Sequence, residues 1–262
     1  PKGIVEVYAE GHRFFINSQD TGLAPPLLMH GVFAPGETAT LKKILKPGMI
    51  FVDVGANIGY FSLIAARIVG KNGRVYAFEP DEENFSLLEK NIKKNGYKNI
   101  TAVKKAVSDS VGTTKFYLRD DNLCAHSMVP RKGSRVVEIE TITFDDYFKN
   151  QSVDVVKIDV EGAEPAVLHG MKKTIDLNKK MAMIVEFYPK AIKRFGASSQ
   201  KYLEDIFYMG FMPYKIEESE QNSLTSITKD MIPALSMGRG IKKLINILCL
   251  KNWEYNPSLF EK

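Results

Sequence analysis

Apolar and polar positions change period several times along the chain, and each change marks an element. Residues 5–16 alternate and break at Glu10-Gly11, which predicts an N-terminal β-hairpin. Residues 23–36, punctuated by Pro and Gly, read as loop or short helix, and 37–45 as a helix stopped by Lys46-Pro47-Gly48. Beyond this point short apolar runs alternate with longer amphipathic ones. Residues 49–53, 74–79 and 100–104 predict strands, and 60–69 and 82–95 predict the helices between them. Residues 115–118 and 136–141 predict strands on either side of an insertion, 120–134. Two further core strands are predicted at 153–159 and 181–186, with a helix over 164–175 between them. A helix over 200–209 and a β-rich segment from 211 to about 228 follow. The run 240–250 reads as an amphipathic helix packed on its own domain. Repeated β-α-β units predict an α/β fold, a mostly parallel sheet with helices on both faces.

Composition narrows the picture without changing it. At 262 residues and 44% hydrophobic, the chain can bury a full core as one domain. Cys124 and Cys249 lie far apart and suit buried thiols rather than a disulfide framework, which predicts a reducing compartment. No apolar stretch reaches the ~18 residues that span a bilayer. The first residues do not resemble a signal peptide, so a cytoplasmic location is expected. The net charge of +5 is spread over lysines interleaved with acids, with clusters at 90–105 and 239–243. Scattered surface lysines account for it, so a nucleic acid is not the expected partner. No zinc spacing, RNP-type motif or heptad run occurs.

The chemistry is concentrated at strand ends. In Phe51-Val-Asp-Val-Gly-Ala-Asn-Ile-Gly-Tyr60 an apolar run ends in Asp53, and Gly-x-Asn-x-Gly then leads into a helix. Such a turn lets a ligand approach bare backbone at a positive helix N-terminus. The next predicted strand ends at Glu79-Pro80, 24 residues beyond Gly55. An acid about 20 residues after the glycines is placed to hold a ribose hydroxyl pair. An adenosine-type cofactor follows. Three readings compete: a dehydrogenase would have Gly-x-Gly-x-x-Gly, but Asn57 replaces its second glycine, and a P-loop would need Gly-Lys-Ser/Thr. S-adenosylmethionine binding is the third.

Five ordered blocks sharpen the choice: 52–60, Gly73-Arg-Val-Tyr-Ala-Phe-Glu-Pro80, Asn91 with Asn95, Ala106-Val-Ser-Asp109, and Lys157-Ile-Asp-Val-Glu-Gly-Ala-Glu164. Together they resemble the FkbM family of S-adenosylmethionine-dependent methyltransferases, over roughly 37–186. The resemblance implies a class I methyltransferase fold, a seven-stranded sheet with one antiparallel strand near an edge. It also implies O-methylation of a small-molecule or carbohydrate acceptor. On this reading 1–262 is one methyltransferase domain: a hairpin extension over 1–36, a catalytic core over 37–228 and a C-terminal tail over 229–262. The ends match the family poorly and are where acceptor choice would be decided.

Roles follow position by position. Gly55 and Gly59 should let the loop turn beneath the methionine part of the cofactor. Asp53 should fix that loop or reach the cofactor's ammonium through a water. Asn57 and Tyr60 should line the methionine pocket, and Glu37 should reach the amino group. Glu79, with Pro80 behind it, should accept both ribose hydroxyls. Ser108 or Asp109 should meet the adenine amino group, although an Asx-type turn explains them equally well. Lys157 and Asp159 share a strand face, and ionic groups there belong at its open end, so Asp159 should sit beside the sulfonium. The base for a hydroxyl acceptor comes from Asp159, Glu161 or Glu186, preferably in the 159–161 loop, with His126 a weaker candidate. Glu164 reads as a helix-start carboxylate. Asp159, Glu161 and Glu186 could also converge on a divalent metal, but no metal is part of the expectation. An RNA methyltransferase or a non-catalytic cofactor binder are the alternatives.

Overall fold

The computed structural model describes residues 3–119, 122–217, 223–238 and 244–253. The hairpin comes first, strands β1 (Ile4–Ala9) and β2 (His12–Asn17). Glu10 and Gly11 turn it with φ of 51° and 77°, the paired left-handed geometry that matches strand twist. Helices α1 (Ala24–His30) and α2 (Pro35–Ile44) then lead to β3 (Ile50–Val54). Next come α3 (Tyr60–Val69), β4 (Arg74–Phe78), α4 (Glu82–Asn95) and β5 (Ile100–Val103). Asp81 caps α4 by accepting from the N–H groups of Glu83 and Asn84, and Gly96 ends it in a left-handed turn. A separate three-stranded sheet contains β6 (Ala106–Ser108), β7 (Gly112–Leu118) and β8 (Arg135–Thr143). The flanks of the 120–134 insertion thus pair with each other, Leu118 opposite Arg135.

After helix α5 (Phe144–Phe148) the main sheet resumes with β9 (Val155–Ile158) and β10 (Met181–Phe187). The single helix expected over 164–175 is two, α6 (Glu164–His169) and α7 (Lys172–Leu177). They break at Gly170, where a Cβ would overlap the Ser108 carbonyl. Helices α8 (Pro189–Phe195) and α9 (Ser199–Tyr208) precede β11 (Met212–Ile216), β12 (Leu224–Ser226), α10 (Ile232–Ser236) and β13 (Ile245–Lys251).

The main sheet has the order β12-β11-β13-β10-β9-β3-β4-β5. Five neighbouring strands, β5 to β10, are parallel, and β13 runs antiparallel to both β10 and β11. This is the class I methyltransferase sheet, extended at one edge by β12. Its central strands are apolar on both sides because both sides are covered. Val52 and Val156 enter one core cluster, while Phe51 and Val155 enter the other.

One expectation is overturned. Residues 245–251 form β13, not part of an amphipathic helix, and 240–243 lie outside the described residues. The apolar run Ile245-Asn-Ile-Leu-Cys-Leu250 is buried on both sheet faces between β10 and β11, where periodicity carries no information. The main sheet therefore reaches past 228 into the stretch read as a tail. No helix among the described residues is long and apolar enough to cross a membrane.

Candidate active site

Because β4, β3, β9 and β10 are parallel neighbours, their carboxyl ends open on one edge of the sheet. A cavity of about 390 Å³ lies there, within the usual range for a small-molecule site. Its first wall is the loop after β3. Gly55 has φ of 85°, and a Cβ on it would overlap the Asp159 carbonyl oxygen, so the approach of the two loops requires glycine. The N–H groups of Gly55 and Ala56 both donate to the Phe78 carbonyl, at 3.0 and 2.9 Å. Glu79 completes the tie: Oε2 accepts from the Asn57 N–H at 2.8 Å and Oε1 from the Asp81 N–H at 2.9 Å. Burial pushes the Glu79 carboxyl up to about 8, against the lowering effect of those two N–H groups.

The second wall is ionic. Lys157 is buried on β9, opposite Asp53 on β3. Its Nζ donates to Asp159 Oδ2 at 2.7 Å, lies 3.9 Å from Glu37 Oε1 and sits 4.5 Å from the centre of the Phe61 ring. Burial opposes its charge, but Asp159, Glu37 and Asp53 outweigh it and raise the lysine above its ordinary value. Asp53 is raised by burial and accepts from Ser62 Oγ at 2.6 Å.

Beyond Asp159 the chain turns through Glu161, a non-glycine residue with φ of 56°. Burial, then the neighbouring charge of Asp159, pushes Glu161 up to about 8. Glu164 holds the turn, its Oε1 accepting from the N–H groups of Val160 at 3.1 Å and Gly162 at 3.0 Å. It is thus a loop clamp at a six-residue helix, more than the helix-start carboxylate expected, and burial raises it to about 7. Glu186, on β10, is raised well above the ordinary range by burial and by Asp159, Glu161 and Glu164. Oxygens of Asp159, Glu161 and Glu186 lie within 4.8 Å of one another.

The roof comes from the insertion and the N-terminal extension. The Leu123 carbonyl accepts from Asn57 Nδ2 at 3.4 Å and Asn84 Nδ2 at 3.2 Å, and its N–H donates to Asp20 Oδ1 at 3.2 Å. Ser127 Oγ, on the far side, donates to the carbonyls of Val160 and Glu161. The extension is latched to α4: Asn91 Oδ1 accepts from the Phe15 N–H at 2.6 Å while its Nδ2 donates to the Phe15 and Ile58 carbonyls. Asn95 does the same for Arg13.

Of the residues singled out by sequence, Glu37, Gly55, Asn57, Tyr60, Glu79, Pro80, Asp159, Glu161 and Glu186 line the cavity, as does His126. Asp53, Gly59, Ser108 and Asp109 do not. Asp53 lies beneath the loop, and Gly59 gives space to Leu88, whose Cδ1 would be 2.5 Å from a Cβ. Ser108 is drawn away by its pairing in β6 with Thr143, so Lys105, Ala106 and Val107 line the wall where it was expected. Sequence reasoning missed Phe33, Phe61 and Asn84 among the lining residues. Only Asn84 carried a signal, three residues after the Asp81 cap and on the helix that follows the acid.

Residues 53–218 match the methyltransferase FkbM domain. The chain belongs to the FkbM methyltransferase family. Over 126 residues it is 31% identical to the hexuronic acid methyltransferase AglP of Haloferax volcanii, covering 47% of this chain and 50% of that one. It is also 34% identical over 74 residues to a protein-L-isoaspartate O-methyltransferase of Methanococcoides burtonii, covering 28% and 36%. The chain thus spans half or less of these curated relatives. The solved structure of methyltransferase FkbM from Methylobacillus flagellatus aligns over 81% of this chain and 50% of that one, at 15% identity and a TM-score of 0.48.

The FkbM domain is S-adenosylmethionine-dependent, and the cavity fits that cofactor. Carboxylates of Glu37, Glu79, Asp159, Glu161 and Glu186 line it against the buried ammonium of Lys157 and the half-buried Lys105, which suits a sulfonium and an ammonium. Asn84 Oδ1 is a buried acceptor without a partner on the same wall, and Gly55 supplies the bare backbone. Glu79 and Glu186 stand three strand spacings apart, roughly 14 Å, leaving room between the two ends.

Proposed function

We propose that this methyltransferase acts on a hydroxyl oxygen of a carbohydrate or other small-molecule acceptor, with Glu161 as the base. When bound, S-adenosylmethionine supplies a methyl carbon made electrophilic by its sulfonium. Glu79 and the 55–59 loop would hold the nucleoside end, Asn57 and Tyr60 the methionine part, and Glu37 and Asp159 the positive charges. The observation that carries the reading is the convergence of Asp159, Glu161 and Glu186 at neighbouring strand ends. Asp159 is engaged by Lys157, and Glu186 is 6% exposed. Glu161 lines the cavity, is pushed up to about 8 by burial and by Asp159, and sits in a strained turn of the kind found at functional sites.

A hydroxyl is a weak nucleophile, and its proton would pass to Glu161 as the carbon–oxygen bond forms, an effect of about 10²–10⁴ in rate. Alignment of oxygen, carbon and sulfur by the cavity walls can supply a further ~7–11 kcal/mol. The hexuronic acid relative supports a sugar acceptor. The test is turnover with S-adenosylmethionine on a panel of hexuronic acids, neutral sugars and simple alcohols, with the methyl position read by NMR. A methyl found on carbon, nitrogen or a carboxyl group would overturn the hydroxyl assignment. Glu161→Gln should lower kcat by about 10²–10⁴ with S-adenosylhomocysteine affinity kept, and an unchanged kcat would remove Glu161 as base.

A further inference from the structure

We infer that Asp159, Glu161 and Glu186 form a binding site for one divalent cation of the hard, oxygen-preferring class: magnesium, manganese or calcium. One oxygen from each lies within 4.8 Å of the others. Opposite ligands on one ion are about 4.2 Å apart at magnesium distances and about 4.8 Å at calcium distances. At most one pair of the three can be opposite, and an upper bound of 4.8 Å is compatible with one ion reaching all three carboxylates.

A second observation points the same way. Glu186 is 6% exposed, and its Oε2 is fully buried without a hydrogen-bond partner. A buried carboxylate oxygen left unmet is costly, and it calls for a proton or a cation. The nearby ammonium is already committed, since Lys157 donates to Asp159 and stands beside Glu37.

The ligands are also fixed in place. Glu164 and Ser127 hold the 160–162 backbone from two sides, and Gly162 is pressed against Ala191. Glu186 sits in a strand paired on both edges, opposite Asn246 on one of them. Each carboxylate need give only one oxygen, so the second oxygen of Glu161 remains for the acceptor's proton. The ion's remaining positions would face the cavity, where an acceptor oxygen could bind and lose its proton more readily. The cation site rests on geometry and does not depend on which group is the base.

The test is manganese binding to the chelator-treated, desalted protein, read by the loss of the free Mn²⁺ EPR signal at neutral pH with S-adenosylhomocysteine present. Wild type should take up about one Mn²⁺ per chain, displaced by magnesium or calcium. Glu186→Gln and, separately, Glu161→Gln should each weaken uptake about tenfold or more while S-adenosylhomocysteine still binds. Two variants are used so that a folding failure in one leaves the other informative. No uptake by wild type below about 1 mM, or uptake by both variants equal to wild type, would overturn the site. The methyl-transfer reading would survive that result, because it is tested by the product and by Glu161→Gln turnover.

Discussion

Glu79→Gln probes the nucleoside end of the cavity through its proton. Glu79 is 5% exposed, holds two backbone N–H groups and titrates at about 8 in the empty protein. Its remaining lone pairs can accept the two ribose hydroxyls, and such donors favour the ionised form. Binding should therefore expel a proton wherever the empty protein keeps Glu79 protonated. If the bound value falls to about 5 or lower, affinity for S-adenosylhomocysteine rises about fiftyfold from pH 6 to pH 8. Glutamine cannot titrate, and its amide turns a donor toward a backbone donor. Loss of hydrogen bonds to a charged acceptor costs about 1.5–3 kcal/mol, or roughly ten- to 150-fold in Kd at pH 8. Calorimetric titration at pH 6, 7 and 8, in two buffers of different ionisation enthalpy, measures both affinity and protons released. The ligand's own amine also titrates, and the glutamine variant subtracts that contribution. A wild-type affinity flat over this range, or a variant with the same slope, refutes the reasoning.

Glu79 and Glu164 are held at about 8 and about 7, above the unfolded value of 4.5, so the folded chain binds more protons than the unfolded one. Their contribution to stability is complete below the unfolded value and is lost progressively above it, until pH passes about 7 for Glu164 and about 8 for Glu79, by up to ~1.4 kcal/mol per pH unit for each group. Melting temperature of the ligand-free protein should fall from pH 5 to pH 8, and a rise would contradict the assignment. Gly55→Ala meets both a φ of 85° and the Asp159 carbonyl, so it should cost on the order of 1–3 kcal/mol in urea unfolding and abolish cofactor binding. An unchanged midpoint would show that the two loops can part freely. Asn91→Ala removes three hydrogen bonds to the hairpin and the 55–59 loop, at about 1–3 kcal/mol. Hydrogen exchange should quicken across residues 4–17 while the central strands stay protected, and uniform exchange would deny the latch.

What sequence made legible here is what is local. The bend after Asp53, the acid at the end of β4 and the acids after β9 each announce themselves within a few residues, because strand, turn and acid are contiguous. Ser108 and Asp109 fell just off the cavity because β5 ends at Val103 and β6 then leaves to pair with β8. That pairing joins positions more than thirty residues apart, and no local pattern records it. Phe33 was invisible for the same reason, since the cavity walls are assembled from segments remote in sequence. Asn91 and Asn95 were noticed only as a family block. Their work as amide clasps on a strand seventy or more residues earlier needs coordinates to be seen.

The position of β13 has a consequence for how the molecule is made. It is the last strand described, yet it separates β10 from β11, both translated before it. Until residues 245–251 leave the ribosome, β10 ends in an unpaired apolar edge and β11 has no berth in the sheet. The edge that carries Glu186 is therefore completed only once β13 has been made, and nascent chains stalled earlier would expose a strip prone to joining foreign strands.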